Sequence, residues 1–251
     1  MGDKDNVRKD YDLITQGLIN ERKGNFDLAL DCYVRCLNNC DEEGDSYGAA
    51  SSYGNISNIY IKLNDYSLAA KNIEFAKEIF RQLEGCEDEL VNCLMSEATL
   101  YQKNGDDEKA AQYYNETLSY AKRIDSPPEV VAALHGNLGV LSEKWENFEE
   151  AIRHYTHALT IYSECGNRHS EAKALANLGN ARFSLEDYST ARNNYQDSLQ
   201  IRVEIQDRHG EAESLIHLSN IANIFGDFSL QNALLEDAND IRNSLGLSMY
   251  E

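Results

Sequence analysis

Gly17, Ser57, Ala98, Gly139, Gly179 and Ser219 stand 40 or 41 residues apart, and every one is small. Twelve residues after them come Ala29, Ala69, Ala110, Ala151 and Ala191, with Gln231 breaking the series. Four further on are Tyr33, Ile73, Tyr114, Tyr155, Tyr195 and Leu235; three beyond those are Cys36, Ala76, Thr117, Ala158, Ser198 and Ala238. Between the two halves of each unit sits a turn: GNF, NDY, GDD, ENF, EDY or GDF. A period of this length means one supersecondary unit repeated, not a single irregular core. Each unit reads as a helical hairpin, helix A ending just before the turn and helix B beginning at it. A mid-helix Gly costs about 1 kcal/mol against Ala, so its recurrence argues that two helices cross closely there. A lone hairpin cannot bury its second apolar face, so the units must stack. The expectation is an all-α chain, a single domain over residues 1–251, with repeats at approximately 7–46, 47–86, 87–126, 127–167, 168–207 and 208–247. Pro127 and Pro128, the only prolines, fit a stiff turn opening the fourth helix A and a mild hinge at 126–128.

Composition excludes several classes of function. The formal charge of −20 opposes nucleic acid, which needs a basic footprint, and anionic membrane surfaces. Nothing approaches the run of roughly 18 apolar residues required of a membrane helix, so no direct membrane insertion is expected. The start, MGDKDNVRKDYD, is too polar for a signal peptide, and residue 6 is Asn where myristoylation wants Ser or Thr. The six cysteines lack a disulfide-framework spacing, which fits a reducing, cytoplasmic location.

The small residue, the A-x3-Y step twelve positions on and the next small residue together match the tetratricopeptide repeat signature. The chain resembles a tetratricopeptide repeat protein over essentially its full length. The resemblance implies a right-handed superhelical solenoid of six antiparallel hairpins. Three features depart from the family pattern: the unit is longer than the usual 34 residues, Leu, Tyr or His replaces the early Trp, and the closing Pro is absent. The N-L-G-N run and the Gly166-Asn167-Arg168 and Gln206-Asp207-Arg208 stretches look like the Pins/LGN subgroup, to which the long repeats of kinesin light chain and rapsyn are related. No G-protein-binding tail follows repeat six, so that Pins activity is not implied.

Numbering helix A so that the small anchor is position 8 places positions 2, 5, 6, 9, 12 and 13 on an arc with no structural neighbour. In tetratricopeptide repeats this arc lines the concave groove. Position 6 reads Thr15, Asn55, Ser96, Asn137, Asn177, His217, and position 9 reads Leu18, Asn58, Thr99, Val140, Asn180, Asn220. An amide offers both a donor and an acceptor, so Asn55, Asn58, Asn137, Asn177, Asn180 and Asn220, with His217, form a ladder suited to the main chain of an extended peptide. Asparagine also bonds to its own helix, the competing reading. Position 13 is basic in four repeats (Arg22, Lys62, Lys103, Lys144) and Lys173 joins them at position 2. Against Glu21, Glu143 and Glu213 the arc is net positive, which favours a partly acidic partner, although a cation in the last turn also answers the helix dipole. Position 5 carries no Lys, so a chaperone-type carboxylate clamp is not expected; its small residues open the groove instead.

No enzyme is expected. Cys32, Cys36 and Cys40 lie on one helix face, but their ends are about 12 Å apart, too far for one ion. His154 and His157 lack a metalloprotease arrangement and read as a solvated face, while His169 and His209 are repeat features. No phosphate loop, dinucleotide fingerprint or nucleophile elbow occurs. No cofactor and no metal are expected. Repeat three, with Asp107 at the aromatic turn position and Glu97 where others carry Leu, reads as the loosest unit. The primary expectation is therefore a protein-protein interaction adaptor that holds a linear segment of a partner in its groove. The alternatives are an architectural subunit using its outer surface or uncapped C-terminal repeat, where self-association would also occur, and a sensor of a small peptide or metabolite.

Overall fold

The structure is a computed structural model and describes residues 2–247, with side chains from residue 12 onward. The last four residues, part of the expected uncapped end, lie outside the described residues. Twelve helices and no strand are present among the described residues. They pair as α1 (Gly2–Arg22) with α2 (Phe26–Glu43), α3 (Ser46–Lys62) with α4 (Tyr66–Gln82), and α5 (Glu87–Lys103) with α6 (Asp107–Arg123). Then follow α7 (Pro128–Lys144) with α8 (Phe148–Glu164), α9 (Arg168–Ser184) with α10 (Tyr188–Glu204), and α11 (Arg208–Ile224) with α12 (Phe228–Ser244). The chain divides into two compact units between Pro127 and Pro128, each holding three hairpins.

The three-residue turn inside each hairpin works the same way six times. Its first residue takes the left-handed conformation: Gly24, Asn64, Gly105, Glu146, Glu186 and Gly226 all have φ between 58° and 86°. Its second residue is Asn or Asp, and in five hairpins this side chain caps the next helix, as when Asp65 Oδ1 accepts from Leu68 N–H at 3.1 Å and Asp227 Oδ1 from Leu230 N–H at 3.0 Å. A left-handed residue stops helix A, and an Asx cap satisfies an orphan donor of helix B. The third residue is already helical.

Packing explains the spacing of small residues. Tyr33, Tyr114, Tyr155 and Tyr195 are fully or almost fully buried. Where position 8 is Gly, the ring lies directly on it: a Cβ on Gly139 would come within 2.7 Å of Tyr155 Cδ1, and one on Gly179 within 2.7 Å of Tyr195 Cδ1. Within each unit, helix A positions 7 and 10 then close on helix B of the preceding hairpin. Ala29 and Tyr33 cluster with Ile56 and Ile59, Ala151 and Tyr155 with Leu178 and Ala181, and Ala191 and Tyr195 with Leu218 and Ile221. Each large buried side chain contributes about 1.5–3 kcal/mol, and the contacts between hairpins supply what no single hairpin has.

At the divergent position of repeat three, the Glu97 carboxylate reaches back to Lys77 Nζ of α4 at 2.7 Å, and Lys77 is only 6% exposed. Burial pulls the Lys77 ammonium down, but hydrogen bonds to Glu97 and Glu74 outweigh it and hold its pKa above the ordinary lysine value. A buried ion pair thus replaces the apolar contact. One expectation is corrected: His154 is not part of a solvated face. Its Nδ1 lies 3.0 Å from Nδ1 of the buried His135, and its Nε2 lies 3.2 Å from Glu150. His157 is exposed at its edge while its ring stacks on His135 at 5.0 Å. The thiols of Cys32, Cys36 and Cys40 are buried in packing, the last two against Ala49.

Candidate peptide-binding clefts

The odd-numbered helices present the ladder face, and the buried tyrosines reach it from below. Each hydroxyl finds an acceptor at position 12 or 9. Tyr33 donates to Glu21 at 3.0 Å and Tyr155 to Glu143 at 2.8 Å, while Tyr114 meets Gln102 at 3.1 Å and Thr99 at 2.9 Å. In repeat five position 12 is Phe183, and the Tyr195 hydroxyl turns to Asn180 Oδ1 instead, at 2.8 Å. Burial, first of all, raises the pKa of all four phenols, that of Tyr114 to about 12. Burial likewise raises Glu143 above the ordinary carboxylate range, with the Tyr155 hydrogen bond opposing. The amide of Asn180 is therefore half committed to the scaffold and keeps only its NH2 for anything else.

The remaining ladder residues are less engaged. Asn55, Asn137, Asn177 and Asn220 make no side-chain hydrogen bond among the described residues, and Asn58 accepts only a 3.3 Å contact from Ser96. In the first unit, Asn55 and Asn58 line a cleft of about 360 Å³ with Gly54, Asn92, Met95 and Ser96. In the second unit, Asn137 and Asn177 line a cleft of about 270 Å³ with Gly136 and Val140. Asn177, Asn180, His217 and Asn220 line its neighbour of about 490 Å³. Lys173 and Asn177 belong to both. His217 stacks on Tyr195 with ring centroids 4.7 Å apart and planes 6° apart, and burial lowers its pKa, favouring the neutral ring.

Gly54 and Gly136, at position 5, explain the openness of these clefts. A Cβ on either would meet nothing within 4 Å, so neither glycine is needed for packing. Of the basic residues, Lys62 is drawn onto Glu21 of the preceding repeat at 2.6 Å; like Lys103, Lys144 and Lys173, it is exposed.

One residue of the second-unit cleft carries a signal that the ladder reading passed over. Arg202 and Arg242 also line it, and both come from helix B, seven residues after the Tyr195/Leu235 position. The equivalent residues are Cys40, Phe80, Ala121 and Tyr162. A charge where earlier repeats are apolar was legible in the repeat alignment, but only the tertiary structure shows that Arg202 is buried and borders the cleft.

Comparison with known proteins places this geometry. The tetratricopeptide repeat family matches residues 13–82 and 130–203, and the chain belongs to that family. The response regulator aspartate phosphatase E of Bacillus subtilis (strain 168) is 24% identical over 159 residues; these are 63% of this chain and 42% of that protein, so the match spans less than half of it. Among solved structures, BtubC (BKLC) from P. vanneervenii superimposes with a TM-score of 0.77 at 20% identity, covering 90% of this chain and 94% of its own. The Rap conjugation gene regulator of the plasmid pLS20, solved in complex with the Phr* peptide, gives a TM-score of 0.76 at 15% identity, covering 95% and 65%. The chain is thus an all-α repeat scaffold of the protein-binding kind, and no helix among its described residues is long and apolar enough to cross a membrane.

Proposed function

We propose that the protein is an adaptor that binds an extended peptide segment of a partner protein along its ladder face, the asparagines pairing with the peptide main chain. The observation that carries this reading is the pairing of Gly54 with Asn55 and Gly136 with Asn137. Each glycine weakens its helix by about 1 kcal/mol against Ala and faces open space. Beside each, an amide without a hydrogen-bond partner among the described residues borders the cleft. Room for a backbone next to a group that pairs with backbones is what main-chain recognition requires. The Rap regulator solved with the Phr* peptide supports a peptide ligand on this fold. Binding rather than catalysis is the role proposed; the phosphatase name belongs to a protein of which the matched segment is 42%. The charge of −20 supports a protein partner over nucleic acid, and the cytoplasm is the proposed compartment.

Affinity capture from source lysate tests this, comparing wild type with Asn137→Ala/Asn177→Ala/Asn220→Ala. Circular dichroism should show the variant still helical, since these side chains hold no bond among the described residues. Loss of specific partners from the variant is the expected result. Partners retained unchanged would end the ladder reading and favour the architectural one, for which the exposed Phe225, Phe228 and Leu230 at the last hairpin offer an outer apolar surface and a place for self-association.

A further inference from the structure

We propose that the larger cleft of the second unit takes a carboxylate of the bound peptide on Arg202. This rests on the ladder reading, because the cleft is bordered by Asn177 and Asn220. Arg202 is 5% exposed, at a position where Cys40 (2%), Phe80 (5%) and Ala121 (0%) are apolar and buried. A buried guanidinium is costly to desolvate unless its donors are answered, and here they are answered only in part. Nη1 alone donates, to Gly210 O, to Glu213 Oε2 at 3.2 Å and to Ser214 Oγ at 3.3 Å.

Nε is buried with no partner, and Nη2 makes no hydrogen bond among the described residues. Nη2, unlike Nε, is not enclosed, and its N–H groups can make a charge-assisted hydrogen bond to a carboxylate. Gly210 packs on the Nε side, where an added Cβ would lie 2.7 Å from Nε, and so presses the guanidinium against the backbone of α11. Lys173 and Arg242 border the same cleft, giving three cations against the single carboxylate of Glu213. The ligand is therefore a peptide carrying one carboxylate in register with the ladder, from an Asp or Glu side chain or from its own C-terminus.

The test uses the full chain, immobilised, and three heptapeptide pools. One is built from uncharged residues and blocked at both ends, the second is the same with a single Glu at each position in turn, and the third is the uncharged pool with a free C-terminus. Retained peptides are counted by mass spectrometry. Wild type should enrich the second or third pool about tenfold over the first, and which of the two identifies the source of the carboxylate. Arg202→Met should abolish that preference. Should Arg202→Met fold poorly, Glu213→Gln decides: it removes the carboxylate that competes for Arg202 from a half-exposed position and should increase the preference. An equal preference in Arg202→Met, no change in Glu213→Gln, or no preference in wild type overturns the carboxylate site. The ladder reading fails separately, if Asn177→Ala/Asn220→Ala retains the uncharged pool as wild type does; no retention of any pool overturns both.

Discussion

Each unit of this protein buries one cation of the Lys or Arg type among its described residues, and the two are held differently. Lys77 in the first unit is enclosed by Glu97 at 2.7 Å and Glu74 at 2.9 Å. Arg202 in the second has one carboxylate at 3.2 Å, a carbonyl, a hydroxyl and an unused edge. The difference separates groups the fold has closed from groups it has left open. The same division runs through the glycines of α7: three residues apart, Gly139 is covered by Tyr155 and Gly136 by nothing. Closed sites hold the scaffold together, and open ones are where a ligand has something to gain.

The largest expected effect tests the cations. Lys77→Met strands Glu97 against apolar neighbours and should cost about 2–3 kcal/mol, below the usual value for a broken buried pair because Glu97 keeps some solvent contact. Arg202→Met puts an apolar side chain where three other repeats have one and frees Glu213 to hydrate, so it should stay within about 1 kcal/mol of wild type. Urea denaturation of both variants measures this. Equal losses would make Arg202 a structural group like Lys77 and break the contrast.

Next come the glycines. Gly139→Ala forces a methyl into the Tyr155 ring and should cost about 2 kcal/mol. Gly136→Ala should add up to about 1 kcal/mol by helix propensity alone while narrowing the smaller cleft of the second unit and weakening peptide capture. Thermal melts with a binding assay would sharpen the distinction, since a packing glycine cannot gain stability and lose ligand together.

Glu143 gives a smaller, pH-dependent effect. Its raised folded-state pKa means that the fold favours its protonated form. No penalty exists below the unfolded carboxylate value of about 4.3; the penalty grows as pH rises through the folded pKa and then stays constant. Glu143→Gln, copying Gln102 in repeat three, should therefore raise the melting temperature at pH 7 and leave stability at pH 4 nearly unchanged. Melting curves at the two pH values check the sign. The smallest change is at Glu186, held at φ 62°: Glu186→Gly relieves left-handed strain and should gain about 0.5 kcal/mol in the same melts.

The sequence by itself determined the hairpins, their turns and their stacking. Those depend on local chemistry repeated six times: a left-handed residue, an Asx cap, and a small residue facing an aromatic one. A repeat exposes such rules because each instance checks the others. What each repeated residue does with its polar atoms was decided by the tertiary structure, because partners come from other helices. Position alone could not tell that Asn180 answers a tyrosine while Asn177 answers nothing among the described residues, since the cause is Phe183 replacing a hydrogen-bond acceptor one turn away. Nor could it tell that Glu97 finds Lys77 across the hairpin boundary, or that Arg202 lies buried at a cleft. Periodicity fixes where a side chain starts, and the neighbouring repeat fixes what is left for it to bind.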